Sequence, residues 1–351
     1  MTDGPNPALT GFLDRLASGE DLTRPEAAAL LAEIMEGRAD PAQTAGVLVA
    51  LRAKGVSVDE VVGLAETMRR LALPVTVDRP QDLLDTAGTG GGCSTFNVST
   101  AAALVAAAAG ARVAKHGNRS STSRCGSADV LEALGARIDL DPDGVAACIE
   151  EVGFGFMFAP RHHAAMRHVV AVRRALGVRT VFNILGPLTN PAAAGRQRVG
   201  TADARVAPVL AGALHELGCV HGLVVSSDDG LDELSVAGPT ALHEVRADGV
   251  ISYTVTPDMF GLGMSSLDEV AGGEPSENAA TVRALFDGAG GAGRDLLLFN
   301  AGAALFAAGV AAHLQDGVDR ARAAVDTGAA ARTLDAFVDA TRRHAGLAPA
   351  A

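Results

Sequence analysis

The sequence predicts an α/β protein with a small helical N-terminal domain and a larger α/β domain built on a central, largely parallel sheet. Three observations carry this. Helix start signals crowd the stretch before Pro74. After Pro74, short apolar runs alternate with helical ones, the pattern of strand–helix–strand units. Hydrophobic residues make up 48% of the 351 positions while aromatics make up only 3%, so a sizeable core must be built mainly from Ala, Val and Leu.

The elements follow in order. A helix is expected over Pro7–Ala17. Thr23-Arg24-Pro25-Glu26 is a capping box with an early proline, opening a helix that stops near Gly37. Asp40-Pro41 opens another, ending near Gly55, and Ser57-Val58-Asp59-Glu60 is a further capping box whose helix runs to Ala72. Beyond Pro74, Leu83–Ala87 reads as a strand, Gly88–Cys93 as a glycine turn and Ser99–Gly110 as an Ala-rich helix. Arg112–Ala114, Phe154–Ala159 and Leu223–Ser226 read as strands. Helices are expected over Gly126–Gly135, after Asp141-Pro142, and over His163–Leu176. The last third returns to helices at Ala279–Phe286, Leu298–Ala308 and Gly317–Arg343, with a flexible loop at Gly288–Gly293 and a frayed LAPAA end. The expected division is a helical domain over 1–74, joined by part of 160–190, and an α/β domain over 75–351.

Composition excludes several function classes. No run of about eighteen apolar residues suits a membrane span, and MTDGPNPALT is no secretory signal. Cys93, Cys125, Cys148 and Cys219 form no CxxC pair or zinc spacing and fit reduced thiols in a cytoplasm. A net charge of −12 disfavours nucleic acid. The charge is unevenly spread. Thr86–Ala128 contains no acid but holds Arg112, Lys115, Arg119 and Arg124. Val152–Ala202 is also acid-free and holds seven Arg, among them Arg173, Arg179 and Arg198. Basic windows in an acidic chain point to an anionic small molecule.

Four segments carry chemistry. Asp85–Cys93, between a strand and a helix, offers backbone N–H groups and a helix N-terminus to an anion, with Ser99 and Thr100 placed to cap the helix and bind phosphate. It lacks the Gly-Lys-Ser/Thr of a Walker loop. It also lacks the sixth-position glycine and downstream acid of a dinucleotide fingerprint. Lys115–Ser123 sets one of the chain's two lysines beside Arg119 and four hydroxyl residues, a dense donor set for a diphosphate; a solvated basic loop is the bland alternative. Arg173 precedes Phe182–Pro191, whose Gly-Pro and Asn-Pro pairs mark a rigid wall; it suits a carboxylate, or lies on a helix surface. Asp228–Ser235 follows a strand and offers hard carboxylate oxygens for Mg²⁺, or is an acidic surface turn.

In this order these segments resemble the anthranilate phosphoribosyltransferase family. The similarity lies in GTGG at Gly88–Gly91, FNVST at Phe96–Thr100, KHGNR at Lys115–Arg119, GSADVLEALG at Gly126–Gly135, VRTVFNILGPLTNP at Val178–Pro191 and LDELS at Leu231–Ser235. The resemblance spans nearly the whole chain. It implies the nucleoside phosphorylase/phosphoribosyltransferase type of fold, a homodimer, and a site at the hinge between two domains. It implies transfer of a 5-phosphoribosyl group from phosphoribosyl diphosphate to anthranilate, a step of tryptophan biosynthesis, with Mg²⁺ as cofactor. Gly88, Gly91, Gly92, Thr95, Asn97, Val98, Ser99 and Thr100 would bind the donor, as would Lys115, His116, Gly117, Asn118, Arg119, Ser120, Ser121, Thr122, Ser123 and Ser127. Gly88, Asn118 and Arg173 would bind anthranilate; Ser99, Asp232 and Glu233 would hold Mg²⁺. Lys115, Arg119 and Asn118 would act in catalysis, the cations on the departing diphosphate and Asn118 on the amine. A departure is that the family usually continues GTGG with Asp-Gly; here Gly92-Cys93 follows and the loop is one residue shorter. A nucleoside phosphorylase of the same architecture, or transfer to another aromatic amine, stays open at this point.

Overall fold

The computed structural model describes residues 5–120 and 124–347. Ser121, Thr122 and Ser123, expected at the donor, and the last four residues of the LAPAA end lie outside them. Four helices come first: α1 (Pro7–Ala17), α2 (Arg24–Met35), α3 (Pro41–Lys54) and α4 (Val58–Leu71). Their starts are where the caps place them. The Ser57 hydroxyl accepts from Glu60 N at 3.2 Å, and the Glu60 carboxylate accepts from Ser57 N at 2.9 Å. Glu60 is fully buried and its charge is met by Lys54 at 2.9 Å, so this lysine is structural.

The rest is built on one seven-stranded sheet: β1 (Leu83–Gly88), β2 (Arg112–Gly117), β3 (Phe154–Phe158), β4 (Arg196–Gly200), β5 (His221–Ser227), β6 (Thr240–Arg246) and β7 (Gly249–Val255). The order is β3-β2-β1-β4-β5-β6-β7, parallel through β5 and antiparallel for the last two pairings. The helices between strands are α5 (Val98–Ala108), α6 (Ser127–Ala133), α7 (Pro142–Val152), the short α8 (Ala159–His162), α9 (Arg167–Leu176), the short α10 (Phe182–Leu185) and α11 (Ala207–Glu216). The chain ends with α12 (Pro275–Phe286), α13 (Ala292–Ala307), α14 (Leu314–Asp326) and α15 (Ala329–His344).

The two faces of the sheet own different cores. Leu84, Val113 and Leu223 belong to a cluster with α5, α7 and the C-terminal helices. Val199, Val224 and Val245 belong to a second cluster with α1–α4, α9 and α11. Alternate strand residues face opposite ways, so one strand feeds both cores. The first is possible because α5 is rich in alanine, six of eleven residues: nine of its residues are buried and α13 and α15 pack directly on it. A larger side chain there would overpack the junction, at about 1–3 kcal/mol.

Several elements differ from expectation. β4, α11, β6 and β7 are not singled out by the sequence pattern; β7 has mostly exposed and half-buried residues and so no clear apolar run. The helix expected over Gly317–Arg343 is two, α14 and α15, broken where Gly328 takes φ 70°. The helix expected from Leu298 begins six residues earlier at Ala292, and α5 begins at Val98 with Asn97 as its cap, so Ser99 and Thr100 lie inside its first turn. No helix among the described residues is long and apolar enough to cross a membrane.

Candidate functional site

The chain runs β1–β2–β3 to one side, then crosses back to place β4 on the other side of β1. This reversal leaves a crevice at the carboxyl ends of β1 and β4, the usual place for a ligand in open α/β sheets. The glycine turn sits there. Thr89 N donates to Gly200 O at 2.8 Å, tying the turn to the end of β4. The glycines are required by contact. A Cβ on Gly88 would lie 2.7 Å from the Asp232 carboxylate, and one on Gly92 would lie 2.6 Å from Gly230 O. Gly91 adopts φ +92° as well, and a Cβ there would collide with the Arg179 guanidinium. The loop at Gly92 therefore packs directly on the acidic turn, and a side chain at 92 would not fit along this path.

That acidic turn follows β5. Asp232 is half-buried and its Oδ2 accepts from Gly90 N at 3.1 Å, so carboxylate and glycine turn form one unit. Glu233 pairs with Arg198, which also reaches Asn300. Asn300 in turn accepts from Leu234 N and donates to Leu234 O, both at 2.9 Å, fixing the turn's backbone. Burial raises both acidic pKa values, so each carboxylate lacks hydration that a cation would replace. No cluster of three or more His, Cys, Asp or Glu side chains is gathered among the described residues. The Asp232–Glu233 pair instead suits a hard divalent ion that completes its ligands from a substrate phosphate.

Of the residues after the turn, Thr95 bridges to Ala271, and Asn97 adopts φ 65° with its side chain used on both ends. It donates to Cys125 O at 3.0 Å and accepts from Asn278 at 2.8 Å. Val98 is buried, leaving its backbone N–H at the start of α5. Thr86 Oγ1 donates to Ser99 O at 3.1 Å, and the Thr100 hydroxyl is buried without a partner among the described residues.

Both nominated cations have other partners than the glycine turn. Lys115 is 2% exposed, and its ammonium group sits on the carbonyl and hydroxyl of Thr86. Burial lowers its pKa and raises that of Asp85, which lies within electrostatic reach. Arg119 bonds to Asp129 at 2.8 Å and also to Glu132, and lies over the Phe158 ring. Asp129 also accepts from Ser120 N and Gly126 N, so GSAD closes the loop that carries Ser120. Ser127 Oγ donates to Asn118 O at 3.2 Å, and Gly117 leaves room for that hydroxyl.

Beside this lies a cavity of about 360 Å³ lined by His116, Asn118, Arg173, Phe182 and Gly186 among others. Gly88 does not line it, whereas Asn118 and Arg173 meet there. Arg173 stacks over Phe182 at 5.3 Å, and burial lowers its pKa with no acid to offset the effect among the described residues. A guanidinium on an aromatic shelf in a half-closed pocket is set to take a planar carboxylate. His116 lies 3.3 Å from Gly186 O through Nδ1 and 5.0 Å, ring to ring, from His163. Burial holds His116 at about 3 and His163 at about 4, so both are neutral at pH 7 and the pocket's charge comes from Arg173 and Arg167. Asn190 anchors the wall, donating to Asp85 and to Ala114 O at 2.8 Å each.

Sequence reasoning missed Arg179, Arg198 and Asn300 as members of this site. The two arginines fall in the acid-free window, and Arg179 also lies in the VRTVFNILGPLTNP string, but neither pattern names their partners; Asn300 lies mid-helix and carries no signal at all.

Two family models match the chain: the glycosyl transferase family helical bundle domain over residues 10–72 and the glycosyl transferase family a/b domain over 80–331. The chain is 51% identical over 340 residues to the anthranilate phosphoribosyltransferase of Rubrobacter xylanophilus, covering 96% of this chain and 99% of that one. It is 50% identical to that of Alkalilimnicola ehrlichii over 95% and 99% of the two chains. Among solved structures, anthranilate phosphoribosyltransferase from Thermus thermophilus superposes with a TM-score of 0.89 at 44% identity, over 94% of this chain and 99% of that one. The Saccharomyces cerevisiae enzyme in complex with PRPP and Mg superposes with a TM-score of 0.86 at 28% identity, over 95% and 97%.

Proposed function

The chain belongs to the glycosyl transferase family of the anthranilate phosphoribosyltransferases, and from that premise we propose how its own residues carry the reaction. It transfers the 5-phosphoribosyl group of 5-phospho-α-D-ribose 1-diphosphate to anthranilate, giving N-(5-phosphoribosyl)anthranilate and diphosphate, a step of L-tryptophan biosynthesis. The observation that carries the residue assignment is the pairing of two unlike half-sites. A glycine turn backed by Asp232 sits at the sheet's switch point, and a cavity holding Arg173 lies beside it.

On the donor side, the amides of Gly88–Gly92 and the segment Thr95–Thr100, which leads into the first turn of α5, face the phosphates. Asp232 and Glu233, with Ser99, would hold Mg²⁺, which supplies charge stabilisation of the diphosphate oxygens when bound. Lys115 adds positive potential from beneath the turn, and its grip on Thr86 fixes the strand end that presents Gly88. Asn118, His116 and Gly117 lie where the half-sites join, with Arg119, Ser120 and Ser127 closing the same loop. On the acceptor side Arg173 takes the carboxylate of anthranilate and Asn118 orients its amine. An arylamine is already unprotonated at neutral pH, so positioning rather than a strong base is required. Gly88 faces the donor side; its assignment to anthranilate rests on the family pattern alone. Assembly as a homodimer, a cytoplasmic setting and the division at residue 74 with part of 160–190 joining the helical domain belong to the same proposal.

The test follows loss of anthranilate fluorescence in the purified protein. Loss that requires protein, phosphoribosyl diphosphate and Mg²⁺ together supports the reading. No loss, with phosphorolysis of thymidine or uridine instead, would replace it with a nucleoside phosphorylase.

A further inference from the structure

A departing diphosphate needs cations close to the oxygens that gain charge. Lys115 is turned inward onto Thr86, and Arg119 is occupied by Asp129 and Glu132. A third cation does lie on the glycine turn. Arg179 sits in the connector between α9 and α10, and its side chain reaches across to donate from Nη2 to Thr89 O at 3.0 Å. Its guanidinium occupies the space a side chain on Gly91 would fill, with Cζ 2.7 Å from the ideal Cβ. Its charge opposes the burial-driven rise at Asp232 and adds to the Arg205 bond in lowering Asp203, so it stands within electrostatic range of the acidic turn as well. Its own backbone is held from the helical part: Arg52 Nη1 donates to Arg179 O at 2.6 Å.

We propose that Arg179 is a binding residue for the diphosphate of the donor, lying over the glycine turn and mounted on the helical part of the molecule. The inference rests on the transferase reading above. Thr89 O uses one N–H of the guanidinium and leaves the others for phosphate oxygens, in the fork geometry that suits them. In the transfer the electron pair of the breaking C1–O bond leaves with the diphosphate. The amine's lone pair forms the C1–N bond, and the amine then releases a proton to solvent. Arg179 neutralises charge where that pair arrives.

The experiment compares Arg179→Gln and Arg179→Lys with the unsubstituted protein, using inorganic diphosphate as product inhibitor and as calorimetric ligand in the presence of Mg²⁺. Removing a charge-assisted contact should raise the donor KM and the diphosphate inhibition constant about tenfold to a hundredfold while anthranilate KM stays within about twofold. The lysine variant should recover part of the loss, since it keeps the charge but not the fork. Unchanged donor KM and diphosphate affinity in folded Arg179→Gln would overturn the assignment. So would equal rises in both substrates' KM, which would mean that Arg179 only shapes the turn through Thr89. No turnover in the unsubstituted protein would overturn the transferase reading itself, and this proposal with it.

Discussion

The glycine turn and the Arg173 cavity solve the same problem, holding an anion, by opposite means. The turn uses backbone. Its glycines are pressed against the Asp232 carboxylate, Gly230 O and the Arg179 guanidinium, and little there has freedom to move. The cavity uses side chains: Arg173 on a phenylalanine, Arg167 beside it, two neutral histidines and an asparagine around open space. Diphosphate carries several charges and many oxygens, which a rigid set of amides and a shared metal suit. Anthranilate carries one carboxylate on a flat ring, which a single guanidinium and an apolar wall suit. Substitutions on the donor side therefore act through the backbone, while the acceptor side can be altered one side chain at a time.

The sharpest way to break this contrast is at the acidic turn. Asp232→Asn with Glu233→Gln should lower kcat about a hundredfold to a thousandfold, the scale seen when charge stabilisation of a leaving group is removed. Anthranilate KM measured at saturating Mg²⁺ should move little. Next is Arg173→Ala, which should raise anthranilate KM about tenfold to a hundredfold at constant donor KM, since a charged hydrogen bond is lost. Steady-state rates with each substrate varied in turn check both.

Acid titration separates the sides by stability. His116 and His163 are held well below their ordinary value of 6.5, at about 3 and about 4, by burial. The unfolded chain binds protons at these sites before the folded one does. The stability they contribute is complete above pH 6.5 and is lost as the pH falls through their folded values. By pH ~4 the loss should reach about 3 kcal/mol for each histidine, and His163→Phe should remove about half of it in urea titrations across the same range. The smallest effect is expected at Gly91→Ala. The left-handed backbone should cost about 1–2 kcal/mol, read as a lowered Tm, with displacement of Arg179 adding weaker diphosphate binding.

The same contrast decides what was legible in the sequence. Backbone recognition writes itself into residue type: Gly88, Gly91, Gly92 and the Asp232–Glu233 pair stand out because only glycine or a carboxylate serves there. The first four helices were legible for a similar reason, since capping boxes such as Ser57–Glu60 are local. Strands β6 and β7 were not, because pairing partners and not their own pattern stabilise them. Arg198 and Asn300 act across 102 residues of chain, and Arg179 reaches Thr89 across 90, distances that no local pattern encodes. The direction of Lys115 and Arg119 depends on Thr86, Asp129 and Glu132, so the sequence could nominate these cations but not aim them.

The most direct test of two chemically separate half-sites is equilibrium titration of phosphoribosyl diphosphate, and separately of anthranilate, into Arg173→Ala in the presence of Mg²⁺. The account predicts donor affinity within about twofold of the unsubstituted protein and anthranilate affinity weakened at least about tenfold. Weakened donor binding with anthranilate binding intact would contradict it.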